Sequence, residues 1–212
     1  MNFSDFKVQF QANPIIFSRD VARNGKKAQI MRNQLHRWQK KGLLICLRKG
    51  AYLLNKNDRK VDVDPNAVAN ILYEPSYISL EYALNYYGLI PERVADITSV
   101  TTRKTMRFSN ELGKFIYQHI KPQVFRGFKK FGEDKNSFFM AEPEKSVVDF
   151  LYLNLSQFQS NPREILEKSH RFQNIEELNP KRMVELGKVF ENKKLMRIIK
   201  EMVRWIEEVN KP

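Results

Sequence analysis

The 212-residue sequence has a single cysteine, Cys46. An intramolecular disulfide is therefore excluded, as are the paired cysteines of a zinc ribbon or dithiol redox site. Cys46 lies in an apolar run, which points to a buried, inert thiol. Histidine is almost as scarce: His36, His119 and His170 fall far apart in different elements. With one cysteine they make no metal-ligand spacing. The 8 glycines form no phosphate-cradling pattern. No metal and no cofactor are expected. No apolar run approaches the ~20 residues of a membrane span. The N-terminal MNFSDFKVQF carries charges where a signal peptide has an apolar centre. A cytoplasmic protein with no membrane partner is expected.

Acidic residues are missing from one part of the chain in particular. Residues 1–60 hold 14 Lys+Arg against 3 Asp+Glu, a net of +11, whereas residues 61–212 hold 23 against 21. Nearly all of the overall +13 is thus concentrated at one end. Concentrated positive charge is the footprint of a nucleic-acid module rather than of general basicity.

Within that end, Gly25 to Leu54 reads as one helix followed by a two-stranded hairpin. A helix over about Lys26–Lys41 puts Ala28, Met31, Leu35 and Trp38 on one face. Lys26, Gln29, Asn33, Arg37 and Lys40 lie on the other face, which is expected to carry no acid and no large apolar side chain; Lys27 adds to its basic start. Gly42 marks the helix end. Leu43–Arg48 and Ala51–Leu54 read as strands around a Lys49-Gly50 turn. Asn and Gln can bond adenine bidentately and Arg can bond guanine, so the polar face suits a major groove. Arg48 and Lys49 at the hairpin tip suit phosphates or the minor groove. The alternative is a core helix with a merely solvated basic face. Upstream, Ser4 can cap a helix running to about Ala12, Asn13-Pro14 breaks it, and Ser18 can cap a short helix through Arg23. Val21 and Ala22 would brace it against Leu35 and Trp38. This order is that of a winged helix-turn-helix.

Asn55–Asp64 is polar, without periodicity, and reads as a linker. The chain is thereby divided into a DNA-binding domain, 1–60, and a second domain, 61–212, expected to pack its own core. In the second, helices are expected from Pro65 to Leu72 and, capped by Ser79, from Leu80 to Tyr87. Ile97–Thr101, Phe115–Tyr117, Val124–Phe125 and Phe138–Ala141 read as strands of a small, mainly antiparallel sheet. Helices then open at Pro143, Asn161-Pro162 and Asn179-Pro180. The last helix carries a stripe of Leu195, Ile198, Ile199, Met202, Trp205, Ile206 and Val209, which suits a core. The fold class is α+β.

Five stretches in order resemble the AbiEi family of antitoxins of bacterial abortive-infection and toxin–antitoxin operons. They are LLICLRKGAYLL, PSYISLEYALNYYGLIPE, ITSVTTRKTMRF, GKFIYQHI and AEPEKSVVDFLYL. They extend to about residue 153; the second, from Pro75 to Glu92, is the most specific. Trp38 departs from the family, in which a leucine is commoner there. The resemblance implies an N-terminal winged helix-turn-helix followed by a C-terminal α+β antitoxin domain. It further implies repression of the chain's own operon, through double-stranded operator DNA with inverted repeats, and neutralisation of an AbiEii-like nucleotidyltransferase toxin.

Two clusters bear on other functions. Glu142, Glu144, Lys145 and Asp149 are the one carboxylate–lysine group that could serve a metal-dependent nuclease, the alternative function. A structural reading is available for each: acids at a helix start oppose its dipole, and Lys145 and Asp149 can pair at i,i+4. No enzyme is expected. Residues 103–130 carry a net +7, from Arg103, Lys104, Arg107, Lys114, Lys121, Arg126, Lys129 and Lys130 against Glu111. This segment is either a solvated sheet face or a second surface for nucleic acid or toxin.

Overall fold

The computed structural model describes residues 1–21, 25–159 and 161–211, with backbone alone for 25–28. The first helix, α1 (Phe3–Phe10), is capped by Asn2, whose side chain accepts from the Asp5 N–H at 2.9 Å; Ser4 lies inside the helix. Phe6 and Phe10 face inward and Val8 outward. A two-residue strand, β1 (Ile16–Phe17), and a short helix, α2 (Ser18–Val21), follow. The helix α3 (Gly25–Lys40) ends at Gly42, whose φ of +71° is the left-handed geometry that glycine adopts without strain. The hairpin pairs β2 (Leu44–Arg48) with β3 (Ala51–Leu54), and β1 adds to β3 as the third strand. The expected strand positions hold; β1, too short to show a pattern, was not anticipated.

The polar stretch after β3 is tied down rather than loose. Lys60 N–H donates to the Gln11 carbonyl at 2.8 Å, and Asp58 pairs with Lys7 at 2.6 Å. The chain continues through α4 (Pro65–Leu72), β4 (Ser76–Ile78), α5 (Leu80–Tyr86), β5 (Ile97–Thr101), β6 (Met106–Asn110) and β7 (Gly113–His119). Next come β8 (Phe128–Phe131), β9 (Phe138–Ala141) and α6 (Pro143–Leu153). The tail holds α7 (Pro162–Glu164), α8 (Pro180–Lys188) and α9 (Lys193–Val209). Asp64, Asn161, Asn179 and Asn192 each accept a backbone N–H at a helix start, the usual use of these side chains.

The α+β class is observed. The sheet has six strands in the order β6-β7-β5-β4-β9-β8. It is mixed rather than mainly antiparallel: β5 runs parallel to β7 and β4 parallel to β9. Strands β4, β6 and β8 were not anticipated, and Val124 closes a 3₁₀ turn instead of starting a strand. The reason is physical: β6 is a polar edge strand, and β4 has three residues buried on both faces, so neither alternates.

The sheet separates two cores. Tyr77, Val100 and Ala141 face α5, α6, α8 and α9. Ile78, Ile97, Phe115, Tyr117 and Met140 face α4 and the N-terminal hairpin. The α9 stripe is core through Ile206, whereas Val209 is exposed. A third cluster joins Phe6, Phe10, Leu35, Trp38, Leu44 and Leu54 inside the N-terminal unit. The hairpin therefore serves two cores. Leu54 faces α1 and α3, while its neighbour Leu53, with Leu47 and Ala51, packs on Val68, Ala69 and Leu72 of α4. Alternation along a strand sends successive side chains to opposite faces. Packing thus continues across residue 60 in one of the two cores, whereas the other lies wholly within the second unit.

Trp38 is 4 % exposed, with its ring 4.8 Å from that of Phe6 and 5.4 Å from that of Phe3. Trp38→Ala should cost ~3–5 kcal/mol by loss of packing and cavity formation. Urea denaturation followed by circular dichroism measures this; an unchanged midpoint would contradict the packing of α3.

Candidate nucleic-acid interface

The outward face of α3 carries Gln29, Asn33, Arg37 and Lys40, all exposed, above the buried Leu35 and Trp38. The phase expected from the sequence holds for these residues; the side chains of Lys26, Lys27 and Ala28 lie outside the described residues, as does all of Ala22. Gln29 Nε2 donates to Asn33 Oδ1 at 3.0 Å, one helical turn apart, so the two amides form an ordered pair. Their remaining donors and acceptors stay in solvent. Ile30 is 66 % exposed beside them. It overturns the expectation that this face has no large apolar side chain: at ~100° per residue Ile30 falls between Asn33 and Met31 and close to Arg37, on the outward side. His36 is exposed on the same helix.

The two cations of the hairpin turn differ. Lys49 is exposed at the tip. Arg48, expected there too, instead turns toward the second unit. Its Nε donates to the Leu72 carbonyl at 2.7 Å and its Nη1 to the Lys49 carbonyl at 3.3 Å. Leu72 is the last residue of α4, and the end of a helix leaves carbonyls that need donors. Burial, and then the charges of Arg103 and Arg19, pull the Arg48 pKa below its ordinary value. Three guanidinium groups gather here: Arg19 and Arg48 over the Phe17 ring at 4.6 and 5.7 Å, and Arg103 over the Tyr73 ring at 4.3 Å. Aromatic faces stabilise cations held this close together. Arg103 also donates to the Glu74 carbonyl at 3.2 Å.

The basic segment 103–130 does not form one patch. Arg107 is on β6 and Lys129 and Lys130 are on β8, and these are the two edges of the sheet. Five strand spacings separate them, roughly 24 Å. Arg103 and Lys104 precede β6; Arg126 precedes β8. Arg103, Lys104, Arg107, Arg126, Lys129 and Lys130 are all exposed. Only the β6 group adjoins the N-terminal hairpin, where Asn110 Nδ2 donates to the Leu47 carbonyl at 3.0 Å.

The carboxylate–lysine group is built into the packing. Glu142 accepts two bonds from Arg182, at 3.0 and 3.2 Å. Glu144 Oε1 accepts the Asn179 N–H at 2.9 Å, at the start of α8. Lys145 and Asp149, 1 % and 0 % exposed, form the i,i+4 ion pair that their spacing suggests. Asp149 Oδ2 also accepts from the Tyr77 and Ser79 hydroxyls, each at 2.9 Å. Ser79, expected to cap α5, makes no side-chain cap bond and spends its hydroxyl here. Burial, and then the Asp149 charge, push the Tyr77 hydroxyl pKa well up, so it remains a donor. Among the described residues, no group of three His, Cys, Asp or Glu side chains could hold a metal ion. His119 shares a bond with the Arg103 carbonyl, and His170 packs among Phe150, Phe158 and Phe172. Burial raises the pKa of the half-buried Cys46 thiol, in keeping with an inert group. Among the described residues, no helix is long and apolar enough to cross a membrane.

Removing one partner of a buried ion pair strands the other's charge and typically costs ~3–5 kcal/mol. Asp149→Ala should do so by denaturant melt, and Lys145→Met should cost less, since it leaves Asp149 two hydroxyl donors. Equal stability of both variants and the parent would remove the structural reading of this pair. No family model matches this chain, and no curated protein matches it at a meaningful level.

Proposed function

We propose that the chain is a DNA-binding transcriptional autorepressor and antitoxin, with a winged helix-turn-helix at its N-terminus. The observation that carries this reading is the outward face of α3, which displays amides and cations over a firmly packed apolar side. The order α2, α3 and hairpin supports the winged arrangement, with α3 as the reading helix. The Gln29–Asn33 pair and Arg37 supply base-edge contacts, and Ile30 supplies an apolar surface suited to a thymine methyl. Lys40 and Lys49 supply phosphate contacts. Lys104 and Arg107 belong to the β6 edge, which borders the hairpin, although Arg107 alternates away from the face that Phe108 and Asn110 turn to it.

The antitoxin part rests on the AbiEi resemblance, and the partner it implies is a nucleotidyltransferase toxin. The β6 edge is the better candidate for this role, because it is the cationic edge that borders the first unit. The nuclease alternative loses its strongest motive, since Lys145 and Asp149 are buried and all four residues of that group hold other elements in place.

Arg37→Ala or Asn33→Ala should cost ~1–3 kcal/mol on the operator and relax specificity. Lys40→Ala and Lys49→Ala should weaken all DNA alike, each lowering the salt-dependence slope by ~0.9. Gel shifts of specific and random duplexes at two salt concentrations separate these effects. Wild-type binding by both Arg37→Ala and Asn33→Ala would rule out this reading face.

For the antitoxin role, Lys104→Glu with Arg107→Glu should reduce survival of toxin-expressing cells more than Arg197→Glu with Lys200→Glu on α9. Protein levels are checked by blot. Equal rescue by both pairs would detach the β6 edge from toxin neutralisation.

A further inference from the structure

Arg19, Arg48 and Arg103 come together where the hairpin turn meets the end of α4, from three separate parts of the chain. Arg19 is on α2, Arg48 is on β2, and Arg103 follows β5. Like charges repel, so a gathering of this kind calls for carboxylates to offset it. Two stand nearby. Asp20 lies 3.8 Å from Arg19 Nε, with both side chains exposed. Glu74 acts on Arg48 less than either neighbouring arginine does. Among the described residues, Arg48 and Arg103 have no ion-pair partner. Lys49 and Lys104, next to them in the chain, add two exposed ammonium groups.

The guanidinium groups are held by uncharged partners, which fix their positions and leave their charge intact. Arg48 spends Nε and Nη1 on the Leu72 and Lys49 carbonyls, and its Nη2 is left unbonded and open to solvent. Arg103 is pinned at three points. Its N–H donates to Thr101 Oγ1 at 3.1 Å, its carbonyl bonds His119 Nδ1 at 2.9 Å, and its Nη1 donates to the Glu74 carbonyl at 3.2 Å. Thr101 is itself tied, donating to the Pro75 carbonyl at 2.7 Å. The Phe17 and Tyr73 rings restrict the same three side chains without offering them an anion. Groups held in place beforehand lose little freedom when a ligand arrives.

Several guanidinium forks match an anion with several acceptor oxygens, and phosphate is the common one. A carboxylate has two oxygens, which a single fork occupies. We propose that Arg19, Arg48 and Arg103 form a site for a phosphoryl group at the junction of the two units. The group belongs either to a nucleic-acid strand passing the hairpin or to a small free phosphate compound. Arg48 comes from the hairpin and Arg103 from the second unit, so the anion bridges the two. The site is separate from the reading face of α3 and does not depend on its role.

Inorganic pyrophosphate is the probe, with sodium chloride at matched ionic strength as the reference. In thermal melts of the full chain, pyrophosphate should raise the melting temperature saturably, by ~3–6 °C at tenfold its dissociation constant. Arg19→Gln with Arg103→Gln should abolish that rise. Without pyrophosphate this double variant should melt no lower than the parent, because two like charges leave a crowded site. A purely structural role for the arginines predicts the reverse, a lower melt with the rise intact. Lys129→Gln with Lys130→Gln removes equal charge from the β8 edge and should keep the rise. Gel shifts with a random duplex identify the source. The arginine pair should lower the salt slope by ~0.9 for each strand phosphate lost, or leave it unchanged where the occupant is a small phosphate compound. The pyrophosphate arm is readable whether or not the chain binds DNA. An arginine pair that matches the parent in both arms would overturn the site, and so would a β8 pair that changes them as much.

Discussion

The hairpin β2–β3 is apolar on both faces, and the rest of the molecule is arranged around the need to cover both. A strand buried on one side alternates; one buried on two sides reads as a continuous apolar run. Leu53 and Leu54 are adjacent, fully buried and belong to different cores. At ~1.5–3 kcal/mol for each large apolar side chain buried, neither face can be left in water. One is covered by α1 and α3, which holds the exposed face of α3 in a fixed orientation. The other is covered by α4 and, beyond it, the six-stranded sheet. The arginine bond to the end of α4 supplements this contact: Arg48 satisfies the Leu72 carbonyl, and rings of Phe17 and Tyr73 lie under the crowded cations.

On the far side of the sheet the organising group is polar. Lys145 and Asp149 would be prohibitively costly to bury singly; together, with two hydroxyl donors on one carboxylate oxygen, they form a satisfied network. Such a network specifies position where apolar packing tolerates sliding. It ties α6 to β4 through Tyr77 and to the start of α5 through Ser79. Glu142 and Glu144 then reach outward to α8, by way of Arg182 and the Asn179 N–H. Four ionisable residues within eight positions thus join four elements, the opposite of an open catalytic cluster.

Much of this architecture was legible in the sequence, and the limits have physical causes. Helices α3, α4 and α9 and strand β5 announced themselves by periodicity, caps or β-branched runs, and the exposed face of α3 followed from its phase. Strands β4, β6 and β8 did not, because short, edge or doubly buried strands lack alternation. Arg48 was misplaced because a cation at a turn looks solvent-bound, whereas its partner is a backbone carbonyl 24 residues away. The basic segment 103–130 looked like one surface because its residues are neighbours in the chain; the strand order sends them to opposite edges. Similarly, a polar stretch after β3 suggested independent units, and only the assignment of hairpin side chains to two cores revealed the shared packing. The arginine cluster was invisible for the same reason: Arg19, Arg48 and Arg103 share no local pattern.

The doubly covered hairpin also sets an order of events during synthesis. When residue 60 has left the ribosome, the helices and strands of the N-terminal unit are all present in the chain, but Leu47, Ala51 and Leu53 have nothing to lie against. Their cover begins with α4, and β6, which borders the hairpin, is complete only at Asn110, some 50 residues later. At ~5–20 residues per second that is a wait of roughly 2.5–10 s before the hairpin face is fully covered. A chain ended before that point leaves one apolar face of the hairpin uncovered. Completion of the packing of the N-terminal unit is thereby made conditional on synthesis of the residues that follow it.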